Sequence, residues 1–492
     1  MKALLVSPAI PDTFWSFKYI LKFVSKKAAH PPLGLLTVAA MMPKEWDLRV
    51  VDMNVEPLSD QALQWADFVF ISAMLVQKVS CREVIDRAHK FGKIVVGGGP
   101  LFTSLNEEFR DVDHLVLNEG EITFPQFLSD LANGNPQRVY SSSERPDITK
   151  TPLPRWDLIK IKQYASLSIQ YSRGCPFNCE FCDIVNLNGR RPRVKANDQM
   201  IRELQVLYDM GWRGRLFIVD DNFIGNTFRV KSLLREIVLW QKARNYPFGL
   251  YTEASVNLAD DEELMKLMNE AGFDSVFLGL ETPEDDCLKE CGKHQNSGKD
   301  LLEAVKTIQG HGMEVMGGFI IGFDNDPPNI FERQIKFIQN SGVVKAMIGL
   351  LNALPGTRLY ERLKNEGRLL SMDECSGDNC DGSMNFIPKM DAQKLKEGYQ
   401  AVLEYIYSPK EYYKRVLEFL EHYKPTRRKR VDMTELMAFV RSVIYLGILD
   451  KGKSKIYYWK LVIKAFLFHR ESFGEAISSA IFGYHFRKLL GK

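Results

Sequence analysis

Short apolar runs and helical stretches alternate through the first 140 residues. Lys2–Val6, Leu48–Val51, Phe68–Ser72, Ile94–Val96 and His114–Val116 are apolar runs of strand length, whereas Leu33–Met42, Ser80–Phe91 and Ile122–Asn133 space their apolar residues for helices. That alternation predicts a parallel sheet covered by helices on both faces. Residues 141–165 are Ser/Pro-rich without periodicity and read as a linker. Alternation resumes over 166–395, with strands at Ser168–Tyr171, Leu216–Val219, Phe248–Thr252, Val276–Gly279, Val315–Ile321 and Ala346–Leu350. The last stretch, 396–492, is helical by pattern, with helices over Glu411–Tyr423, Met433–Leu449, Lys455–Phe468 and Glu475–Leu489. The expected class is α/β, with domains over 1–140 and 166–395, the linker between them, and a helical C-terminal domain over 396–492.

Parallel sheets bind ligands at the carboxyl ends of their strands. In the first domain those ends hold Ser72-Ala73-Met74, Gly97-Gly98-Gly99-Pro100 and Asn118-Glu119-Gly120-Glu121. Glycine lets backbone approach a large flat or anionic ligand, although such a turn is as often plain loop geometry. In the second domain the ends hold Asp220-Asp221-Asn222, Glu253, Gly279-Leu280-Glu281-Thr282 and the glycine-rich Gly317–Asp324. One strand-end carboxylate is usually a cap or a surface charge. Several at successive strand ends suit a cationic ligand, through charge-assisted hydrogen bonds.

The most informative stretch follows the first strand of the second domain. Cys175, Cys179 and Cys182 form C-x3-C-x2-C, with Phe181 before the last cysteine. Three thiolates so close can hold three corners of a cubic iron–sulfur cluster and leave the fourth iron open. Structural zinc usually takes four ligands from two cysteine pairs, and here no fourth Cys or His lies nearby. A disulfide reading is poor without a secretory signal. Cys287, Cys291, Cys375 and Cys380 leave open an auxiliary cluster, against the plainer reading of ordinary thiols; Cys81 reads as a small apolar residue.

The cysteine motif resembles that of the radical-SAM superfamily. His30-Pro31-Pro32-Leu33-Gly34-Leu35, the glycine turn and Pro152-Leu153-Pro154-Arg155-Trp156-Asp157 resemble the cobalamin-binding members. Leu350–Tyr360, Asn385–Met390 and Tyr405–Lys410 are similar to the subgroup that includes hopanoid methylases. The resemblance covers roughly residues 1–415 and implies a Rossmann-like cobalamin-binding domain followed by a partial (β/α)6 radical-SAM barrel. It implies Cys175, Cys179 and Cys182 as ligands of a 4Fe–4S cluster whose open iron chelates S-adenosylmethionine. Phe181, Asp220, Asp221, Asn222 and Glu253 would surround that cofactor, with Asp220-Asp221-Asn222 at its ammonium, Glu281 at its ribose, and Gly318 and Gly322 along its adenine. Ser72, Gly97, Gly98, Gly99, Glu119 and Gly120 would line the corrinoid. The D-x-H-x-x-G motif that supplies a histidine to cobalt in other cobalamin proteins is absent, and His114 lacks its spacing. Any bound cobalamin should therefore have no protein histidine on its lower face.

Composition adds one asymmetry. The chain carries a net charge of +3, yet residues 409–492 hold 18 Lys/Arg against 8 Asp/Glu, so the preceding residues are net acidic. That basic stretch is crowded with aromatic residues, including Tyr457, Tyr458, Trp459, Phe466 and Phe468. It suits peripheral contact with a membrane, the plainer reading being helices packed on the barrel with their basic side exposed. No base-reading module accompanies the basic run, so nucleic acid is not an expected partner. With no apolar run long enough for a signal or a span, the expected location is cytoplasmic, with attachment to the cytoplasmic membrane face.

What the resemblance implies about activity is an enzyme that methylates an unactivated carbon. Abstracting hydrogen from such a carbon needs a radical, and the carbon radical then takes a methyl group from the corrinoid. The expected substrate is a small molecule or a hopanoid-like or other isoprenoid lipid, and the expected electron donor a flavodoxin or ferredoxin. Two alternatives remain: a cyclase or rearrangement enzyme using the same cofactors, and a non-catalytic redox-sensing protein.

Overall fold

Two six-stranded parallel sheets carry the molecule. The structure, a computed structural model, describes residues 1–371, 376–378, 380–425, 433–450 and 452–491. The first sheet contains β1 (Lys2–Ser7), β2 (Asp47–Asp52), β3 (Phe68–Ser72), β4 (Ile94–Gly98), β5 (His114–Val116) and β6 (Val139–Tyr140) in the order β2-β1-β3-β4-β5-β6. Its central strands are apolar throughout because both faces are covered. From β1, Ala3 and Leu5 pack with Phe70, Phe124 and Phe127 on one side; Leu4 and Val6 pack with Val69, Val84 and Ile85 on the other. Strand order reverses at β1, the place where doubly wound sheets open a crevice at their carboxyl edge.

The second sheet contains β7 (Ser166–Ile169), then, beyond the short antiparallel ribbon of β8 (Ser172–Arg173) and β9 (Arg193–Val194), β10 (Arg215–Ile218), β11 (Gly249–Ala254), β12 (Phe273–Glu281), β13 (Glu314–Ile321) and β14 (Ala346–Leu350). Its order, β14-β13-β12-β11-β10-β7, is that of a partial (β/α)6 barrel. One face is buried under helices, with Leu250, Val276 and Val315 among the residues it contributes. The strand registers place Phe217, Tyr251, Glu253, Phe277, Gly279, Gly318 and Met347 together on the other, inner face.

β7 ends two residues before the expected strand, because the backbone N–H groups of Tyr171 and Ser172 turn away to donate to Asp220. The pattern also missed β6 and the helices Lys18–Val24, Asp60–Trp65 and Ala392–Ile406.

Residues 14–28 do not pack with the first sheet. Helix Lys18–Val24 lies against helices Phe473–Leu489 and Met433–Ser442. Phe14 stacks on Phe486 with ring centres 4.5 Å apart, and the His485 ring donates to the Phe14 carbonyl at 3.1 Å. Trp15 then reaches the inner face of the barrel, its ring 5.2 Å from Phe277 and its Nε1 2.9 Å from Met347 Sδ. The polypeptide thus stitches its early and late segments together beneath the barrel.

Candidate active site

The loop between β8 and β9 carries the cysteine motif and is held at both ends by one carboxylate. Asp221 Oδ2 accepts from the Gly174 N–H and from Asn188 Nδ2, each at 2.9 Å. Gly174 has φ +95°, and a Cβ there would lie 2.8 Å from the Gly189 carbonyl, so only glycine lets the ends close. The segment 291–296 docks along the loop. The Glu180 N–H donates to the Cys291 carbonyl at 2.7 Å, and Gln295 Nε2 lies 3.6 Å from Cys179 Sγ. On the other side Asn222 Nδ2 lies 3.8 Å from Cys175 Sγ.

Cys175, Cys179 and Cys182 are free and half-buried. Burial pushes the Cys175 and Cys182 thiols up, so bare thiolates would be costly here without a counter-charge. Among the described residues no three Cys, His, Asp or Glu side chains converge as ligands of one ion do. A cube is gripped at separate corners, and half-buried thiols with amide donors at their sulfurs and a buried cation close by fit an anionic cluster. The cation is Lys293, which sequence reasoning missed. It pairs with Glu281 and sits within electrostatic reach of Cys179 and Cys182. Burial alone would lower its pKa; Glu281 and the Cys179 thiol hold it above the ordinary value.

The strand-end carboxylates do unequal work. Asp220 was expected beside an ammonium, but its oxygens are already taken by the Tyr171 N–H at 2.7 Å, the Ser172 N–H at 2.7 Å and the Ser172 hydroxyl at 2.6 Å. It is a buried splice between β10 and the start of the loop, pushed up to about 7 by burial against the pull of those hydrogen bonds. Asp221 likewise serves the loop. Glu281 was expected at a ribose but is engaged by Lys293, and Gly279 leaves the space for this pair: its Cβ would overlap both partners. Asn222 shares hydrogen bonds with Ser255. Of the strand-end carboxylates Glu253 alone has no hydrogen-bond or ion-pair partner among the described residues, and it lies on the inner face; burial, with Asp221 and Asp220 nearby, pushes it up to about 8. It is the carboxylate left free to take a cationic ligand.

Two glycines expected along an adenine have packing roles. A Cβ at Gly318 would lie 2.9 Å from Phe277, so this position makes room for that ring. Gly322, at φ +110°, turns the chain so that its N–H reaches Asp326 Oδ2 at 2.7 Å. Phe181 packs partly buried against the core, 6.4 Å from Phe323. The Cys287 thiol donates to Asp326 Oδ1 at 3.3 Å and Cys291 to the Leu288 carbonyl at 3.5 Å, both inside the barrel core, with Cys380 half-buried elsewhere; Cys375 lies outside the described residues.

At the carboxyl edge of the first sheet, Gly99 at φ +87° brings the chain so close to β3 that a Cβ would lie 2.7 Å from Ser72 Oγ. A Cβ at Gly98 would lie 3.1 Å from the Val116 carbonyl, and Gly97 instead makes room for Phe102. The result is an edge of backbone and small side chains, the surface a broad corrinoid needs. Gly120 opens helix Gly120–Ala132. Glu119 was expected to touch the corrinoid but is buried among arginines, 2.9 Å from Arg173 and 2.7 Å from Arg193. His114 sits at the opposite end of β5, its Nδ1 2.8 Å from the Gln137 carbonyl.

Those arginines belong to β8 and β9, so the two carboxyl edges face each other across ion pairs. Arg173 lies two residues before Cys175 and also holds Glu121 at 2.7 Å. On another strand end, Tyr164 donates to Asp52 Oδ2 at 3.0 Å. An edge built for a flat ligand therefore looks onto the cysteine loop and the acidic inner face.

Comparison with known proteins agrees with this layout. Residues 23–128 match the B12 binding domain, 169–338 the Radical SAM superfamily, and 357–492 a domain of unknown function (DUF4070). The chain is 46% identical over 415 residues to an uncharacterized methyltransferase of Synechocystis sp., covering 84% of this chain and 77% of that one. It is 35% identical over 477 residues to the hopanoid C-2 methylase of Rhodopseudomonas palustris, covering 94% and 89%. Its fold is similar to that of the radical S-adenosylmethionine methyltransferase TsrM from Kitasatospora setae, with a TM-score of 0.63 and 14% identity over the whole of both chains. The chain belongs to the cobalamin-binding radical-SAM methyltransferase family, enzymes that work with a 4Fe–4S cluster, S-adenosylmethionine and cobalamin.

Proposed function

We propose that this enzyme methylates an unactivated carbon of a hopanoid-like or other isoprenoid lipid. The observation that carries the reading is the split character of the barrel's inner face. Glu253, Asn222 and the cysteine loop make its upper part polar. Below them Phe217 stacks on Tyr251 with ring centres 4.9 Å apart, and Phe277, Met347 and Trp15 continue the lining. An apolar skeleton buries well against these rings and the Met347 side chain. The likeness to the hopanoid C-2 methylase supports the same substrate class.

When bound, the cofactors supply hydrogen-atom abstraction and a methyl donor. The residues supply position. Cys175, Cys179 and Cys182 would hold the cluster, Lys293 would offset its charge, Gln295 would donate to the Cys179 sulfur, and Glu253 would take the ammonium of S-adenosylmethionine. Arg173, Glu119 and Glu121 hold the carboxyl edge of the first sheet against the cysteine loop, so a corrinoid on that edge would face the barrel's inner side.

The test is anaerobic reconstitution with all three cofactors, a reductant and S-adenosylmethionine carrying a deuterated methyl group, on lipid extracts containing hopanoids. A lipid product carrying the labelled methyl is expected. A mass-neutral or dehydrogenated product would instead indicate ring formation or rearrangement, and failure to form 5'-deoxyadenosine would indicate a protein without turnover.

A further inference from the structure

We propose that the face formed by the segment Met433–Ile448 and the helix Ser454–Phe468 is a docking surface for an anionic phospholipid bilayer. No helix among the described residues is long and apolar enough to cross a membrane, so the contact is peripheral. This inference is independent of the carbon that is methylated.

Helix Ser454–Phe468 buries Tyr458, Leu461, Val462 and Ala465 against the body of the protein. The opposite side of a surface helix is ordinarily polar. Here it presents Ile463 at 55%, Phe466 at 57% and Phe468 at 74% exposure. The only charged residues of this helix are Lys455, Lys460 and Lys464, all exposed. The neighbouring segment does the same. It is α-helical to Ser442 and continues as a π-helical turn over Val443–Ile448, closed by the Leu449 N–H donating to the Ile444 carbonyl at 2.8 Å. Leu446 and Gly447 turn inward, where the Gly447 carbonyl accepts from Trp459 Nε1 at 3.1 Å; Met433, Ile444 and Ile448 face outward. Packing through that small residue joins the two segments into one apolar surface.

Charge decides the occupant. Apolar side chains interleaved with lysines match the acyl and phosphate layers of an anionic leaflet. A second copy packed on the same patch would bring two surfaces of like sign together, since each carries the exposed Lys455, Lys460 and Lys464 against a single exposed carboxylate, Glu435. A neutral protein groove would leave the three cations unmatched.

The test is co-sedimentation of the full-length protein with vesicles of phosphatidylcholine alone or mixed with phosphatidylglycerol, at low and high salt. Binding to the anionic vesicles, weakened by salt, is expected. The pair Ile456→Glu and Ile463→Glu should lower partitioning at least tenfold, and both positions are exposed, so thermal unfolding should be unchanged. The triple variant Lys455→Gln, Lys460→Gln and Lys464→Gln should lose the preference for anionic vesicles while keeping the fold. Wild-type protein that stays in the supernatant with anionic vesicles would overturn the proposal. So would variants that partition like wild type, or a self-association in sedimentation velocity that the same substitutions abolish.

Discussion

Arg173 and Glu121 meet fork to fork across the two sheets, Nη2 to Oε1 at 2.7 Å and Nη1 to Oε2 at 2.9 Å. Burial by itself would raise the Glu121 carboxyl; the guanidinium overrides it and leaves it below the ordinary value. Removing one partner leaves buried charge uncompensated, at a cost of about 3–5 kcal/mol. Arg173→Met should therefore lower the denaturation midpoint markedly and speed hydrogen exchange in Gly120–Ala132. Arg173→Lys should recover little, because an ammonium lacks the planar fork. An unchanged midpoint in Arg173→Met would show that the two edges are held by other contacts.

Lys293 makes a second prediction. A cation near a cluster stabilises the more negative, reduced form and raises its potential. Lys293→Gln should bind a normal complement of iron but reduce at a more negative potential. Glu281→Gln frees the cation from its partner and should shift the potential the opposite way. Redox titration followed by electron paramagnetic resonance reads both, and shifts of one sign would contradict an electrostatic role.

The three thiols make a third. Cys179→Ala should lose the visible absorbance of the cluster and most of the bound iron after reconstitution, while Cys287→Ala should keep both. Full iron content in Cys179→Ala would refute the ligand assignment.

Glu253 gives a pH dependence with a definite sign. Its carboxyl is pushed from the ordinary 4.5 up to about 8, so across that window the folded protein holds a proton that the unfolded chain has released. Stability of the ligand-free protein should fall as pH rises through the window, by up to about 1.4 kcal/mol per unit. Binding of the S-adenosylmethionine ammonium favours the ionised carboxylate, so affinity should rise over the same range and binding should release a proton. Glu253→Gln should flatten both profiles, which calorimetry in buffers of different ionisation enthalpy would measure. A wild-type affinity independent of pH would exclude Glu253 from the ammonium site.

Histidine sets the acid side. Burial holds His485 down at about 4, against an ordinary 6.5. The unfolded chain therefore takes up a proton first as pH falls, and stability should be lost through that interval. His485→Asn should remove part of the loss in acid unfolding curves; an unaltered acid transition would assign it to other groups.

Much of the frame was legible because parallel strands covered on both faces leave unbroken apolar runs. β14 lies where the pattern put it, over Ala346–Leu350, and the cysteine spacing marked the loop. What the pattern could not show was which way each strand-end carboxylate is spent. Asp220 looked like Glu253 in sequence, yet Ser172, 48 residues earlier, claims it. Lys293 had no motif, since it meets Glu281 only after β12 ends and the chain folds back. The aromatic run at Phe14–Phe17 has no helical or strand period, because its partners, such as Phe486, are hundreds of residues away.

The stacking of Phe14 on Phe486 orders events during synthesis. A ribosome delivers the first sheet and the cysteine loop long before helix Phe473–Leu489 emerges. Until then Phe14 lacks its stacking partner and helix Lys18–Val24 one of its two helical neighbours, so only Phe277 and Met347 hold Trp15 against the aromatic lining. The support beneath the aromatic lining is thus the last part of the enzyme to be locked in place.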